Sequence, residues 1–408
     1  MMKVASADLT ERVLSKSGIV AAVAPDRAID AFSTALAAIL RFSGQSNLDA
    51  LDRLQGFPAI NLGSLTAKER GFLQAEIDSR IDRASESTIA QLQERVQGVI
   101  EARRRKRLAA YYTKPTAVAV MAEMAQLYRE AHVRRKLIVA DPFLGSGLTL
   151  TGAIKRIGED SVAMAWGIEP YPLSAVIAYA ALLYQLSGDR QRVRVEIGDA
   201  FASLGLGSDA TVNAERTLIG ADVVLTNPPF TRWELLDSDY RAYLREVVVG
   251  SPYNRFLARR QLNLQLVAMF LIDRVLKESG LLVSVLPAST FYTIAGEAVK
   301  RLLRGEYVIH ALIESLPDAS FSTESGFKEL ILAATKVKPH RTPETTFISL
   351  GSSFDPSLAA RVALAERAAA VASGVACINR VKVYDLPGIW DMNWLVFFGE
   401  TRLRRIVT

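Results

Sequence analysis

Four residues, Asn227-Pro228-Pro229-Phe230, carry the most chemistry in this chain, and they follow a strand-like run from Ala221 to Thr226. Two consecutive prolines cannot continue a hydrogen-bonded ladder, and each fixes φ near about −65°. The run therefore ends in a stiff turn at the carboxyl edge of a sheet, where open α/β folds bind ligands. The turn offers an amide oxygen from Asn227, a backbone carbonyl from Pro228 and an aromatic face from Phe230. Two acceptors and a ring suit an exocyclic amino group on a flat heterocycle. An Asn-Pro turn by itself is common, so the residues upstream decide the reading.

Upstream, Lys136 to Ala140 reads as a short buried strand and runs into Asp141-Pro142-Phe143-Leu144-Gly145-Ser146-Gly147. The segment Leu148 to Ile157 then has a helical pattern. Gly145 and Gly147 have no Cβ, which lets backbone come close to a ligand. No Gly-Lys-Ser/Thr follows, so this is not a phosphate loop, and the acidic Asp141 suits a cationic ligand better than an anionic one. A second strand, Val162 to Ile168, ends in Glu169-Pro170, with Glu169 22 residues beyond Gly147. An acid at that place normally holds ribose hydroxyls. A third strand, Val193 to Ile197, ends in Gly198-Asp199-Ala200-Phe201. Singly, each acid reads as an exposed strand-end carboxylate; three in succession, followed by Asn227, form a constellation.

Together these residues resemble the S-adenosylmethionine-dependent amino-methyltransferases, whose fourth motif reads [DNS]PP[YFW]. Ahead of the glycine loop, Tyr111-Tyr112-Thr113-Lys114-Pro115 is similar to the tenth motif of the DNA-acting members. The motif order matches the gamma arrangement typical of adenine-N6 enzymes. Protein-glutamine and ribosomal-RNA guanine methyltransferases share an NPPY-type motif but usually lack the tenth. The resemblance covers about residues 109–338.

The resemblance implies S-adenosylmethionine as cofactor, with Tyr111, Tyr112, Thr113 and Pro115 closing over its methionine end. It places Asp141, Pro142, Phe143, Gly145 and Gly147 around the cationic part, Glu169 and Pro170 at the ribose, and Asp199, Ala200 and Phe201 at the cofactor's adenine. Asn227 sits between cofactor and target. The implied substrate is a flipped adenine of double-stranded DNA, and the implied setting is a restriction-modification or phage-defence system. Cytosine-N4 methylation, RNA or protein amide methylation, and a non-catalytic DNA-binding subunit with a vestigial pocket stay open.

The remaining elements must position this site. Leu262, Leu266, Phe270 and Val275 fall at near-helical spacing, so Arg255 to Glu278 reads as a helix. Leu281 to Leu286 reads as a strand, Ala295 to Arg304 as a helix, and Tyr307 to Ile313 and Phe327 to Lys336 as strands. Seven strands alternating with helices predict an α/β, doubly wound, mostly parallel Rossmann-like sheet. The family resemblance implies that the last strand is antiparallel and inserted beside the sixth.

Three domains are expected: helical residues 1–108, a catalytic domain over 109–338, and an extension over 339–408. In the first, Ile29, Phe32, Leu36, Ile39 and Leu40 mark one amphipathic stripe, and Ile89, Leu92, Val96, Val99 and Ile100 another; Thr66 and Glu69 form a capping-box pattern. The extension includes a helix-like run, Ser357 to Ser373, and resembles the lead-in to a target recognition domain. Val396, Phe397 and Phe398 would be an exposed apolar edge if nothing covered them. Sequence specificity is therefore expected from a partner subunit or from a carboxyl-terminal segment beyond this one.

The 408 residues carry a net charge of +6 and are 50% hydrophobic, enough for a real core. A single cysteine, Cys377, excludes a disulfide framework and suggests a reducing compartment; the family resemblance implies a bacterial or archaeal cytoplasm. His132, His310 and His340 are scattered, so no metal site is expected. The start lacks the apolar core of a signal peptide. Val162 to Leu186 is apolar, yet Pro170 and Pro172 break it into strand, turn and helix, so no membrane span is expected. The run Arg103-Arg104-Arg105-Lys106-Arg107 is either a phosphate-binding cluster or a solvated helix end. Arg232, Arg255, Arg259 and Arg260, after the Asn-Pro-Pro-Phe turn, are the better candidates for the DNA backbone.

Overall fold

Short apolar runs bounded by Gly, Pro and Asp alternate with amphipathic helices along residues 137–335, and this alternation builds an α/β sheet. The computed structural model describes residues 2–19, 24–96, 113–132, 135–206, 220–230, 233–257, 262–315, 320–322, 328–338, 343–350, 355–357, 361, 375–385, 388 and 393–398. The chain divides into two units, residues 1–106 with 140–203 and residues 107–139 with 204–408.

The strands are β1 (Leu137–Asp141), β2 (Val162–Glu169), β3 (Val193–Ile197), β4 (Ala221–Thr226), β5 (Leu276–Pro287), β6 (Val308–Ser315), β7 (Glu329–Thr335), β8 (Thr345–Leu350) and β9 (Val375–Val381). They follow the order β3-β2-β1-β4-β5-β7-β6-β8-β9. β7 runs antiparallel between β5 and β6, pairing Val283 with Ala333 on one side and Leu312 with Leu332 on the other. That is the expected insertion. The expected count of seven strands is too low, because β8 joins β6 in parallel and β9 joins β8 antiparallel. Thr345 to Leu350 is buried throughout, as a strand covered on both faces must be.

In the first unit the helices are α1 (Met2–Lys16), α2 (Pro25–Ser43), α3 (Ala67–Asp78) and α4 (Glu86–Arg95), and no strand occurs among the described residues up to 96. The capping box at the start of α3 is reciprocal: the Thr66 hydroxyl accepts the Glu69 N–H, and the Glu69 carboxylate accepts the Thr66 N–H. Further along lie α5 (Pro115–Ala131) of the second unit, then α6 (Leu148–Ile157), α7 (Pro172–Gln185) and α8 (Ala200–Leu204). α7 is apolar all round because it packs against β2 and β3 as well as α2 and α4. Gly56 accepts the Val195 N–H at 3.0 Å, so the amino-terminal segment protects the exposed edge of β3.

In the second unit, α9 (Ser238–Val249), α10 (Leu264–Val275) and α11 (Glu297–Glu306) complete the layers. α10 is shorter than the expected helix over 255–278. The Asn263 side chain caps it by accepting the Leu266 N–H at 2.7 Å, and the chain enters β5 at Leu276. Phe397 and Phe398 are buried rather than exposed and Val396 is half-buried, because Phe347 of β8 meets the Phe397 and Phe398 rings, and that of the neighbouring Trp394, at 5.0–6.3 Å between centroids. The expected helix over Ser357 to Ser373 lies largely outside the described residues. Among the described residues, no helix is long and apolar enough to cross a membrane.

Candidate functional site

Three loops of the first unit each begin with a carboxylate at or just past the carboxyl end of a strand. Asp141 ends β1 and is 1% exposed. One of its carboxylate oxygens accepts the Phe143 N–H at 3.0 Å, and the other accepts the Thr149 hydroxyl at 2.7 Å. Asp141 thereby ties the glycine loop to the first turn of α6. Gly145 and Gly147 take φ of 58° and 80°, the left-handed region that favours glycine. A Cβ on Gly147 would also stand 3.1 Å from the Cβ of Ala178 on α7. The loop is pinned further by the Leu144 N–H, which donates to the Ile168 carbonyl at 2.9 Å.

Glu169 closes β2 with its side chain turned into this loop. Its carboxylate accepts the Gly145 N–H at 3.0 Å and the Tyr171 N–H at 2.9 Å. Burial pushes its pKa up to about 8, with the nearby Asp141 charge adding to the rise and the two backbone donors opposing it. Pro170 is exposed beside it. At the third loop, Asp199 accepts the Phe201 N–H at 3.0 Å, while Ala200 and Phe201 begin α8 and are buried. The rings of Phe143 and Phe201 lie 5.5 Å apart, tilted by 47°. One further residue reaches this loop from the amino-terminal helices. Gln93 of α4 donates through Nε2 to the Ser146 carbonyl at 2.8 Å and to the Thr151 hydroxyl at 3.3 Å.

In the second unit β4 is buried along its whole length and delivers Asn227, itself buried, into the Pro228-Pro229-Phe230 turn. Asn227 donates through Nδ2 to the hydroxyl of Ser322 at 3.0 Å. The amide is thus oriented, nitrogen toward Ser322 and oxygen away from it. Ser322 also bridges Thr113 in antiparallel fashion, and the Lys114 N–H donates to the Phe321 carbonyl at 2.7 Å. Pro115 follows as the first residue of α5, where its fixed φ suits a helix start. Residues 113–115 are therefore joined to the Asn227 turn through the short segment 320–322.

Tyr111, Tyr112, Arg232, Arg259 and Arg260 lie outside the described residues, as do the basic run 103–107 and His340. Arg255 is exposed, but it pairs with Glu306 at 2.9 Å and lies over the Phe256 ring at 4.6 Å. His132 stacks on Tyr128 at 4.1 Å, and His310 of β6 shares a hydrogen bond with the Thr335 hydroxyl of β7 at 2.7 Å. Among the described residues, no group of three His, Cys, Asp or Glu side chains is placed to hold a metal ion.

Sequence patterns miss Ser322, Glu329 and Gln93. The last leaves a trace: it falls four residues after Ile89 on the buried face of α4, a polar residue in an apolar stripe. Ser322 and Glu329 belong to no recognisable motif.

The profile of the N-6 DNA methylase family matches residues 98–370. A comparison with curated proteins gives no match. Among solved structures, the chain is similar to the methyltransferase subunit of a type I restriction-modification system from Streptococcus thermophilus, with 17% identity over 72% of this chain and 59% of that one, at a TM-score of 0.50. It is also similar to a protein from Listeria monocytogenes assigned to the class I S-adenosylmethionine-dependent methyltransferases, with 17% identity over 88% and 96% of the two chains, at a TM-score of 0.53. The type IIG restriction endonuclease BpuSI gives a TM-score of 0.60 at 12% identity, over 90% of this chain and 43% of that one. At such identities the likeness is one of fold, and the chain spans about six-tenths of the streptococcal subunit's length. The family profile covers well over half of the chain, and so the chain belongs to the N-6 DNA methylase family.

Proposed function

We propose that this protein transfers a methyl group from S-adenosylmethionine to the N6 amino group of adenine in double-stranded DNA, as the methyltransferase component of a restriction-modification system. The observation that carries this reading is the buried Asn227 amide, oriented by Ser322 at the head of the Pro-Pro-Phe turn, in a chain of the N-6 DNA methylase family.

The chemistry of the three loops suits that cofactor. Segments 141–147, 169–171 and 198–201 contain Asp141, Glu169 and Asp199 and no lysine or arginine. An acidic set of this kind, without a cation, fits a ligand with a sulfonium, an ammonium and ribose hydroxyls, and disfavours a phosphate. Glu169 would accept from the ribose and Asp199 from the adenine amino group, while Asp141 keeps the glycine loop in shape and adds negative charge. Phe143 and Phe201 supply apolar walls. When bound, the cofactor supplies an electrophilic methyl group.

The chain's own residues must prepare the nucleophile. The target base leaves the duplex stack to reach the site. Its amino nitrogen is a poor nucleophile because the lone pair is delocalised into the ring. Acceptance of both N–H bonds, by the Asn227 side-chain oxygen and the Pro228 carbonyl, favours a pyramidal nitrogen with its lone pair turned toward the methyl group. An amide cannot abstract a proton, so orientation and hydrogen bonding carry the catalysis, and the excess proton leaves to water. Phe230 is 6% exposed, so a base that stacks on its ring must displace the present cover; such stacking is worth about 1–3 kcal/mol.

The test is transfer of tritium-labelled methyl groups at low salt to mixed genomic DNA, with total RNA and cell protein as parallel acceptors and the Asn227→Ala variant alongside. Label entering DNA with the native chain and not with the variant supports the reading. Label entering RNA or protein instead of DNA contradicts it.

A further inference from the structure

The Asn227 amide has two ends of almost equal shape, and only the oxygen end can accept a hydrogen bond from a substrate amino group. Something must therefore decide which end faces the substrate. Ser322 is fully buried, and its hydroxyl accepts from Asn227 Nδ2 at 3.0 Å. Its own place is set by Glu329, the first residue of β7, which is 1% exposed. One oxygen of the Glu329 carboxylate accepts the backbone N–H groups of both Phe321 and Ser322, each at 2.8 Å. Glu329 is fixed in turn by the sheet, where it pairs across from Pro287 of β5. On the far side, the Ser320 hydroxyl donates to the Ser322 carbonyl at 3.1 Å and accepts from Lys114 Nζ at 2.6 Å.

We propose that Ser322, anchored by Glu329, is a positioning residue that holds the nitrogen end of the Asn227 amide and so presents its oxygen to the substrate. This rests on the methyltransferase reading given above. Two backbone donors on one carboxylate oxygen make a charge-assisted anchor, stronger than a neutral hydrogen bond. Without the Ser322 hydroxyl, rotation of the amide by half a turn brings its NH2 group toward the substrate, donor facing donor. Neither Ser322 nor Glu329 needs to touch cofactor or base for this effect.

The test compares native chain, Ser322→Ala and Glu329→Gln with selectively 15N-labelled asparagine, reading the Asn227 side-chain NH2 resonances, cofactor affinity, melting temperature, and kcat and KM on DNA. Loss of one hydrogen bond predicts a fall in kcat of about three- to tenfold for Ser322→Ala, with KM and cofactor affinity within about twofold. Its Asn227 NH2 protons should exchange with water faster than in the native chain, and Glu329→Gln should fall between the two. Native-like resonances and kcat in Ser322→Ala overturn the proposal. A matching loss of melting temperature and cofactor affinity also overturns it, by showing that Ser322 only supports packing. If the native chain methylates no DNA, the functional reading fails by itself, and the amide resonances still decide whether Ser322 holds Asn227.

Discussion

The carboxylate of Glu169 accepts the backbone N–H of Gly145 at 3.0 Å, which makes the end of β2 and the glycine loop one hydrogen-bonded unit. The same carboxylate is raised by burial from the ordinary carboxylate range to about 8. A carboxyl whose folded pKa lies above its unfolded value adds stability at pH below the unfolded value, and that contribution is lost as pH rises through the folded value. The native chain should therefore lose melting temperature between about pH 5 and pH 8, and Glu169→Gln should lose less over that window. If Glu169 accepts from the ribose in its ionised form, cofactor affinity should instead rise with pH up to about 8 and level off. Calorimetry across this range in both proteins checks the two trends, and equal slopes would remove Glu169 from the cofactor site.

Gln93 should tune the same loop from outside the sheet. Gln93→Met keeps the length of the side chain and removes its bond to the Ser146 carbonyl. Loss of that bond is expected to weaken S-adenosylmethionine binding by about three- to tenfold, read as a dissociation constant, with a small change in melting temperature. Unchanged affinity would mean that α4 only covers the loop.

Gly147→Ala should be destabilising for two reasons. The residue would hold a left-handed φ of 80°, and its Cβ would press on Ala178 at 3.1 Å. The expected loss is about 1–3 kcal/mol in urea unfolding, together with weaker cofactor binding.

Asn227→Ala should reduce methyl transfer by at least about a hundredfold, the usual scale for removing a preorganised hydrogen-bonding group from a reacting centre. Cofactor affinity should stay within about twofold, because the lost contact is to the target base. Loss of cofactor binding in this variant would place Asn227 in the wrong role.

Much of the architecture is legible in the sequence because strong local signals agree with it. Leu148–Ile157 forms the expected helix, started by Gly147 in the left-handed region, and Pro172 opens α7 where the apolar stretch is expected to break. The antiparallel β7 follows from the family resemblance rather than from periodicity. The start of β5 is hidden, since Leu276 continues the apolar run of α10 and only the Asn263 cap marks where that helix begins. β8 and β9 lie beyond the seven strands that the family resemblance implies; Thr345 to Leu350 is rich in β-branched and aromatic residues, but its pairing with β6 is a long-range contact that local pattern does not specify. At the site, Asp141, Glu169, Asp199 and Asn227 stand out because they lie at strand ends. Ser322 and Glu329 do not, because their importance comes from which atoms they reach in space.

The central claim is tested most directly by identifying the modified nucleoside. Native DNA incubated with the protein and S-adenosylmethionine, then digested and separated by chromatography with mass detection, should contain newly formed N6-methyldeoxyadenosine that is absent with Asn227→Ala. N4-methyldeoxycytidine in its place, or unmodified nucleosides at stoichiometric enzyme, would contradict the account.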